Sequence, residues 1–484
     1  MDDLLNNAWL VLAAHFALAM TSAGHALLYK RDPRAALGWI AVSFAYPIVG
    51  PLLYYLFGIN RLRTRAHQLK GEPLRHLRTG FEGPEMIGNV DQGLQLPELV
   101  AHPELVALAR SSAAVTHRDL VAGNRLQPFF SGEEAYAAML QAIEQSRQSV
   151  CLATYIFETN RSGLEFIAAL VAAQRRGVEV CVLLDGVGEW YSLPRAGSLL
   201  RSEGIKVARF VPPRILPPSI HVNLRNHRKL LVVDGVTGFT GGMNIGDRHL
   251  RQRPERRNET ADIHFQVEGP VVRQLQAVFD EDWLFAAREK LRHSHHAPLG
   301  AGDAICRVVT DGPNEDLGKL AMIITGAVAL ARKRVAIMTP YFLPPPELIN
   351  SLQAAALRGV EVSVILPRKS NQPLAHWATR NMLWELLQYG VRVYYQPPPF
   401  AHSKLLLIDE NYAHIGSANL DPRSLRLNFE IVVEVFEQEF VGLLLSHFDR
   451  IRSLSTQETL AGVDGRGLPA RIRDATAWLF SPYL

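Results

Sequence analysis

At 484 residues the chain is long for one hydrophobic core and corresponds to roughly two or three domains of ordinary size. A composition 48% hydrophobic and 20% charged excludes an intrinsically disordered chain, and a net charge of only +4 argues against the strong basic stripe of a nuclease or other nucleic-acid binder. Cys151, Cys181 and Cys306 stand at unrelated spacings, two of them in apolar strand-like runs, so they read as reduced core thiols with neither a disulfide framework nor a zinc set.

The apolar residues concentrate at the start. Ala8–Leu28 and Ala35–Phe57 are uncharged runs of 21 and 23 residues, each long enough to cross a bilayer. Asp2 and Asp3 replace the basic start of a secretory signal, so residues 1–65 read as membrane segments. Two full crossings would put Lys30, Arg31 and Arg34 on one face and Arg61, Arg63 and Arg65 on the other, against the rule that basic loops stay inside. Pro47, Gly50 and Pro51 offer a resolution: they break the second run into a re-entrant or interfacial hairpin.

Residues 66–118 read as a connector. From 119 onward, short β-branched strands alternate with amphipathic helices. SVCLATYIF, GLEFIAALVAAQRRG and VEVCVLLDG give strand, helix and strand in a first half (119–290). RVAIMTPYF, PELINSLQAAALRG and VEVSVILP repeat that order in a second (304–484), and RGVEV recurs unchanged at Arg176 and Arg358. Such units predict an α/β fold with parallel pairing and right-handed crossovers. HSHHAPLGAGD has linker composition (291–303), and its histidines read as solvated residues with no rigid metal geometry. Proline-rich stretches before His227 and His402 read as stiff rims of a site.

Those two histidines open the informative phrases. HRKLLVVD begins at His227 and HSKLLLID at His402, and each is followed by a Gly-x-x-Asn phrase ending at Asn244 or Asn419. Both histidines and both asparagines are 175 positions apart, so a whole local structure is repeated. Each copy offers an imidazole, an ammonium (Lys229, Lys404) and an amide. Lysine and asparagine can hold non-bridging phosphoryl oxygens, while histidine can attack phosphorus or protonate a leaving oxygen. Displacement at a phosphodiester needs both a nucleophile and an acid, and two opposed halves supply one each. Asp234 and Asp409 close their strands and on the residues alone suit a local structural role. No nucleotide loop and no metal-binding acidic cluster is present in the sequence, so neither cofactor nor metal is expected.

The paired HxKxxxxD phrases resemble the phospholipase D superfamily. RDPRAALGWI, YPIVGPLLYYLFGINR, TPYFLP, GSANLDPRSLRLNFE and WLFSPYL extend the likeness to the bacterial membrane-anchored cardiolipin synthases of that superfamily over almost the whole chain. The resemblance implies two phospholipase D-like α/β domains related by a pseudo-twofold, preceded by a transmembrane or re-entrant hairpin, in a bacterial inner (cytoplasmic) membrane. It implies a catalytic set of His227, Lys229, Asp234, His402, Lys404 and Asp409, with Asn244 and Asn419 binding substrate and Asp262 and Glu430 orienting the histidines. The implied reaction moves a phosphatidyl group between two phosphatidylglycerols through a phosphohistidine and releases glycerol; symmetry leaves open which histidine is the nucleophile. Phosphatidylglycerol, cardiolipin and the bilayer are the implied partners. The chain departs from the family at Asn160 and Asn371, often Asp, and at Pro345 and Pro346, where an acidic residue is usual. Those changes bear on the acceptor. The competing readings are a phospholipase D-type hydrolase, a synthase with phosphatidylethanolamine as donor, and an inactive lipid-binding scaffold, which loss of a motif histidine or lysine would have marked.

Overall fold

The computed structural model describes residues 2–30, 33–58, 103–212, 224–250, 259–291, 299–312 and 318–481. The chain divides into two compact units, Met1–Gly71 and Glu72–Leu484. In the first, helix α1 (Asp2–Tyr29) is followed by α2 (Pro33–Ala45), a turn, α3 (Val49–Leu53) and a π turn over Tyr54–Gly58. Among the described residues, the stretch Val11–Tyr29 of α1 is the one helix long and apolar enough to cross a membrane. With 13 residues, α2 rises about 20 Å, short of the roughly 30 Å of a hydrocarbon core.

The second apolar run is therefore broken, at the place its prolines and glycine predict. The helix ends at Ala45, Ile48 takes a positive φ of 61°, and its N–H donates to His15 Nδ1 at 3.3 Å. Gly50 then lets the chain fold back, because a Cβ there would run into the Val42 carbonyl. Farther along, the Tyr54 hydroxyl lies 2.7 Å from His25 Nδ1, tying the hairpin to α1. Trp9, Phe16, Leu27 and Leu28 are all more than half exposed, so α1 presents an apolar outer surface.

The second unit is built on one sheet of 15 strands with helices packed against it. The first half contributes β1 (Val121–Phe129), β2 (Ser149–Thr154), β3 (Glu179–Asp185), β4 (Lys206–Phe210), β5 (Leu230–Val233), β6 (Thr237–Gly241), a short β7 (Thr260–Ala261) and β8 (His264–Glu268). The second contributes β9 (Ala304–Asp311), β10 (Arg334–Met338), β11 (Glu361–Pro367), β12 (Arg392–Gln396), a short β13 (Phe400–Ala401), β14 (Leu405–Ile408), β15 (Tyr412–Gly416), β16 (Glu430–Phe436) and β17 (Thr456–Gln457). From the middle outward, the order is β1-β8-β6-β5-β2-β3-β4 on one side and β9-β16-β15-β14-β10-β11-β12-β17 on the other. Apart from the added edge strand β17, the two series correspond strand for strand and meet where β1 pairs antiparallel with β9.

Parallel pairing, predicted for each half, holds for β2-β3-β4 and β10-β11-β12. The repeated phrases depart from it: β5 pairs antiparallel with β2 and β6, and β14 with β10 and β15. The cause is local. Asp234 and Asp409 adopt left-handed φ values of 53° and 52°, which fold each strand into a tight hairpin with its successor. Because β5 and β14 run against their parallel neighbours, His227 and His402 sit at the sheet edge where β2, β3, β10 and β11 end, the usual edge for a site in such sheets.

Apolar β-branched residues bury β2, β3, β10 and β11 on both faces, and helices such as Arg161–Arg175 and Pro346–Leu357 cover them. Each half has its own core, around Phe166 and Leu231 in the first and Leu348 and Leu406 in the second. Most of the connector lies outside the described residues, but its end forms helix Pro103–Thr116, whose Leu108 and Ala109 belong to the core of the second half. There Ser112 donates to Glu434 and the Arg307 guanidinium donates to the Ala109 carbonyl. Its amphipathic pattern is too short to reveal that attachment. The three cysteines are buried, and none forms a disulfide. His293, His295 and His296 of the linker lie outside the described residues, as does most of the first proline-rich rim. The C-terminal helix Leu468–Leu479 packs on helix Pro373–Leu387, with Arg473 over the Trp377 ring at 4.6 Å.

Candidate active site

His227 and His402 each precede their strand and are held by the opposite half. The His402 N–H donates to the Ala261 carbonyl (2.7 Å), beside the parallel pairing of β13 with β7. The His227 N–H donates to the Phe429 carbonyl (3.0 Å), beside a parallel bridge between Asn226 and Phe429. The residue after each of those carbonyls is a carboxylate. His402 Nδ1 lies 2.7 Å from Asp262 Oδ2, and His227 Nδ1 lies 3.0 Å from Glu430 Oε1. Each ring is thus fixed at Nδ1 by the other half, which directs Nε2 toward the reacting position.

The two carboxylates are not equivalent. Glu430 also accepts from the Ser417 hydroxyl (2.5 Å) and from Asn428 Nδ2 (3.2 Å). Burial pushes its carboxyl up, but His227, Lys229 and Ser417 outweigh it and hold the group below its ordinary value. For Asp262, burial wins over Lys404 and the nearby histidines, and the carboxyl is pushed up. His227 and Lys229 do most to hold Glu430 down, and Ser417 adds to them from a position that the first half leaves bare, since Ser417 in GSAN matches Gly242 in GGMN. Gly242 offers no hydroxyl, and a Cβ there would collide with the Asp262 carboxylate.

Lys229 and Lys404 curl back so that each ammonium donates to the carbonyl of its own histidine, at 2.7 Å for Lys229. Lys404 also lies 2.8 Å from His402 Nδ1 and 3.1 Å from Nε2. Burial pulls Lys229 down to about 7 and Lys404 to about 8. Burial also lowers both histidines, His402 well below the usual imidazole value because Lys404, Lys229, His227 and Arg248 add to it. The site concentrates basic groups whose charged forms burial disfavours, and a bound anion is what would restore those charges.

Asn244 and Asn419 end the Gly-rich turns at the same edge, both nearly fully buried. The Asn244 amide oxygen accepts from the Ile156 N–H at 3.1 Å, while Asn419 Oδ1 is buried with no hydrogen-bond partner among the described residues. Asp234 and Asp409 are elsewhere. Their carboxylates take the backbone N–H groups of Arg147, Gln148 and Ser149, and of Arg332, Lys333 and Arg334. They lie at the far end of their strands, roughly 20 Å of extended chain from the histidines. Their inclusion in a catalytic set is not what this placement favours: they anchor the starts of β2 and β10.

Three features are invisible in the motifs. The Tyr155 ring lies 5.4 Å from His227 and the Tyr341 ring 6.3 Å from His402, each from the end of the strand beside its phrase. Ser417 occupies a position the Gly-x-x-Asn pattern treats as filler. Asp185 accepts from Arg225 (3.2 Å) and the Asn226 N–H (2.9 Å), fixing the residues that lead into His227. A polar residue ending a buried strand, as in CVLLD and MTPYF, is the signal that could have found Asp185 and Tyr341. Of the departures from the family pattern, Asn371 accepts a 2.6 Å hydrogen bond from the Tyr341 hydroxyl, Asn160 caps helix Arg161–Arg175, and Pro345 and Pro346 start helix Pro346–Leu357. No cluster of metal-ligating side chains occurs among the described residues.

Residues 139–283 and 324–452 match the family described as cardiolipin synthase, PLD-like domain. The chain belongs to the phospholipase D-like cardiolipin synthase family. Residues 17–58 match the phospholipase D-nuclease N-terminal family. A cardiolipin synthase of Alkalihalophilus pseudofirmus is 30% identical over 99% of this chain and 95% of its own length. Cardiolipin synthase A of Pseudomonas fluorescens is 31% identical over 93% of this chain and 94% of its own. The crystal structure of a phosphatidylserine synthase from Haemophilus influenzae shares the fold, with a TM-score of 0.60 at 14% identity over 78% of this chain and all of that one.

Proposed function

We propose that the protein is a cardiolipin synthase of a bacterial cytoplasmic membrane, joining two phosphatidylglycerols into cardiolipin and glycerol. The observation that carries the reading is the pair of opposed histidines, each oriented by a carboxylate of the other half above two buried lysines. Membership of the synthase family supports the choice of lipid.

In the first step, His227 Nε2 attacks phosphorus of one phosphatidylglycerol, the bond from phosphorus to the headgroup glycerol oxygen breaks, and His402 gives that oxygen its proton. In the second, His402 takes the proton of a hydroxyl on a second phosphatidylglycerol, whose oxygen attacks phosphorus and displaces His227. One phosphodiester replaces another, so the phosphohistidine conserves the bond energy and no nucleotide is consumed. Lys229, Lys404, Asn244 and Asn419 hold the non-bridging oxygens. Two features favour His227 as nucleophile. Glu430, held ionised, sustains the imidazolium that would form, and the more depressed His402 releases a proton readily once the substrate anion has charged it. The apolar helix Val11–Tyr29 supplies the membrane attachment.

The test is a product assay on the reconstituted protein with phosphatidylglycerol alone. Cardiolipin and glycerol in equal amounts are expected, lost in both His227→Ala and His402→Ala. Phosphorus-labelled donor, quenched in denaturing alkali, should leave its label on His227. Phosphatidic acid as the product would make the protein a hydrolase, and label on His402 would reverse the roles.

A further inference from the structure

The segment after β3 carries large side chains with little to pack on. Trp190, Tyr191 and Leu193 are 59%, 56% and 83% exposed, within four consecutive residues. Their backbone is nevertheless latched. The Thr159 N–H donates to Ser192 Oγ at 2.7 Å, the two hydroxyls lie 2.5 Å apart, and the Thr159 hydroxyl donates to the Pro194 carbonyl at 2.8 Å. Glu189, buried below them, pairs with Arg209 at 2.5 Å. The fold holds apolar groups in water at a fixed place, where isolated exposed residues would need no such support.

That place is the rim of the site. The segment leaves the end of β3, at the edge where His227 lies, and the Tyr191 ring is 6.2 Å from Tyr155, whose ring is 5.4 Å from His227. An unbroken line of rings therefore runs from the exposed tip to the reacting histidine. Arg195 stacks its guanidinium 3.9 Å from the centre of the Trp190 ring, placing a cation beside the apolar tip. Across the pseudo-twofold, Leu374, 49% exposed, opens helix Pro373–Leu387 after β11, the counterpart of β3. Tryptophan, tyrosine and leucine beside arginine form the set that partitions into the headgroup layer of an anionic bilayer.

We propose that residues 188–195 are an interfacial anchor, seated in the headgroup layer of an anionic bilayer, past which a lipid phosphodiester reaches His227 alongside the contacting rings of Tyr191 and Tyr155. The inference rests on the lipid-substrate reading above, but its test does not depend on turnover. Because the native cysteines are buried, Leu193→Cys in the full-length protein can carry a single nitroxide. In vesicles of phosphatidylglycerol and phosphatidylcholine, that label should be relaxed by oxygen and shielded from an aqueous nickel chelate. Val236→Cys, exposed in the β5–β6 turn at the opposite edge, should show the reverse. An aqueous profile at 193 overturns the proposal, and so does a label shielded from both relaxants, which would place a protein surface there.

A membrane profile at 193 in a protein that makes no cardiolipin sustains the anchor and removes the substrate reading. Kinetics give the second readout. Leu193→Asn should raise KM for vesicle phosphatidylglycerol about tenfold, from the lost partitioning of one leucine side chain. Its rate on a monomeric short-chain phosphatidylglycerol should match the parent, and an equal loss on both lipids overturns the proposal.

Discussion

The His402 Nδ1 atom lies 2.7 Å from the carboxylate of Asp262, a residue 140 positions earlier in the other half of the chain. Glu430 does the same for His227 from the opposite direction. Asp262→Asn and Glu430→Gln keep the shape and remove the charge, so each should cost about two to four orders of magnitude in kcat with the fold intact. The pH profile separates orientation from mere packing. Burial already lowers His227 while Glu430 raises it. Removing that charge lowers the group further, and the acid limb of kcat/KM in Glu430→Gln should move to lower pH. A limb that stays in place would show that Glu430 does not govern the histidine.

The depressed lysines make anion binding a protonation event. With Lys229 at about 7 and Lys404 at about 8 in the empty site, a phosphate analogue that raises both takes up protons as it binds above pH 7. Vanadate or inorganic phosphate should therefore inhibit less well as pH rises through that range, by up to about tenfold per unit for each proton taken up. Calorimetry in two buffers of different ionisation heat should record the uptake, and Lys229→Met should reduce it. Equal heats in both buffers would contradict the assignment.

Asp234 and Asp409 belong to stability. Removing either leaves three backbone N–H groups without their acceptor and a left-handed turn without its favoured residue. Asp234→Ala should cost about 3 kcal/mol of stability, with kcat per folded molecule close to the parent. Denaturant melts paired with activity corrected for folded fraction decide it. A large kcat loss without destabilisation would return these residues to the chemistry.

The 13-residue α2 is too short to span a hydrocarbon core and a turn follows it, so the second run is expected not to cross the bilayer. A periplasm-dependent reporter fused after residue 65 should be inactive. Full activity would show that the second run also crosses.

Repetition makes most of the site legible in the chain itself. The 175-residue offset joins His227 to His402 and Asn244 to Asn419, and two copies predict opposed halves. Strand direction is harder, because KLLVVD reads alike in parallel and antiparallel sheets, and the Asp234 turn that sets β6 against it is a conformational fact. The exchange of carboxylates is hidden as well. It depends on β13 pairing with β7 across the centre of the molecule, two residues against two, and no periodicity marks so short a contact. Ser417 and Gly242 become legible only once the carboxylates they meet are known.

The exchange has a consequence for how such a chain could arise. A protein with a single copy would carry a histidine facing no carboxylate and a carboxylate facing no histidine, and would be completed only by a second copy of itself. Such a pair would be bound to change both faces of its site together. Fusion into one chain removes that bond, and the hydroxyl of Ser417 beside the bare Gly242 shows what it permits: two copies of one phrase free to differ from each other.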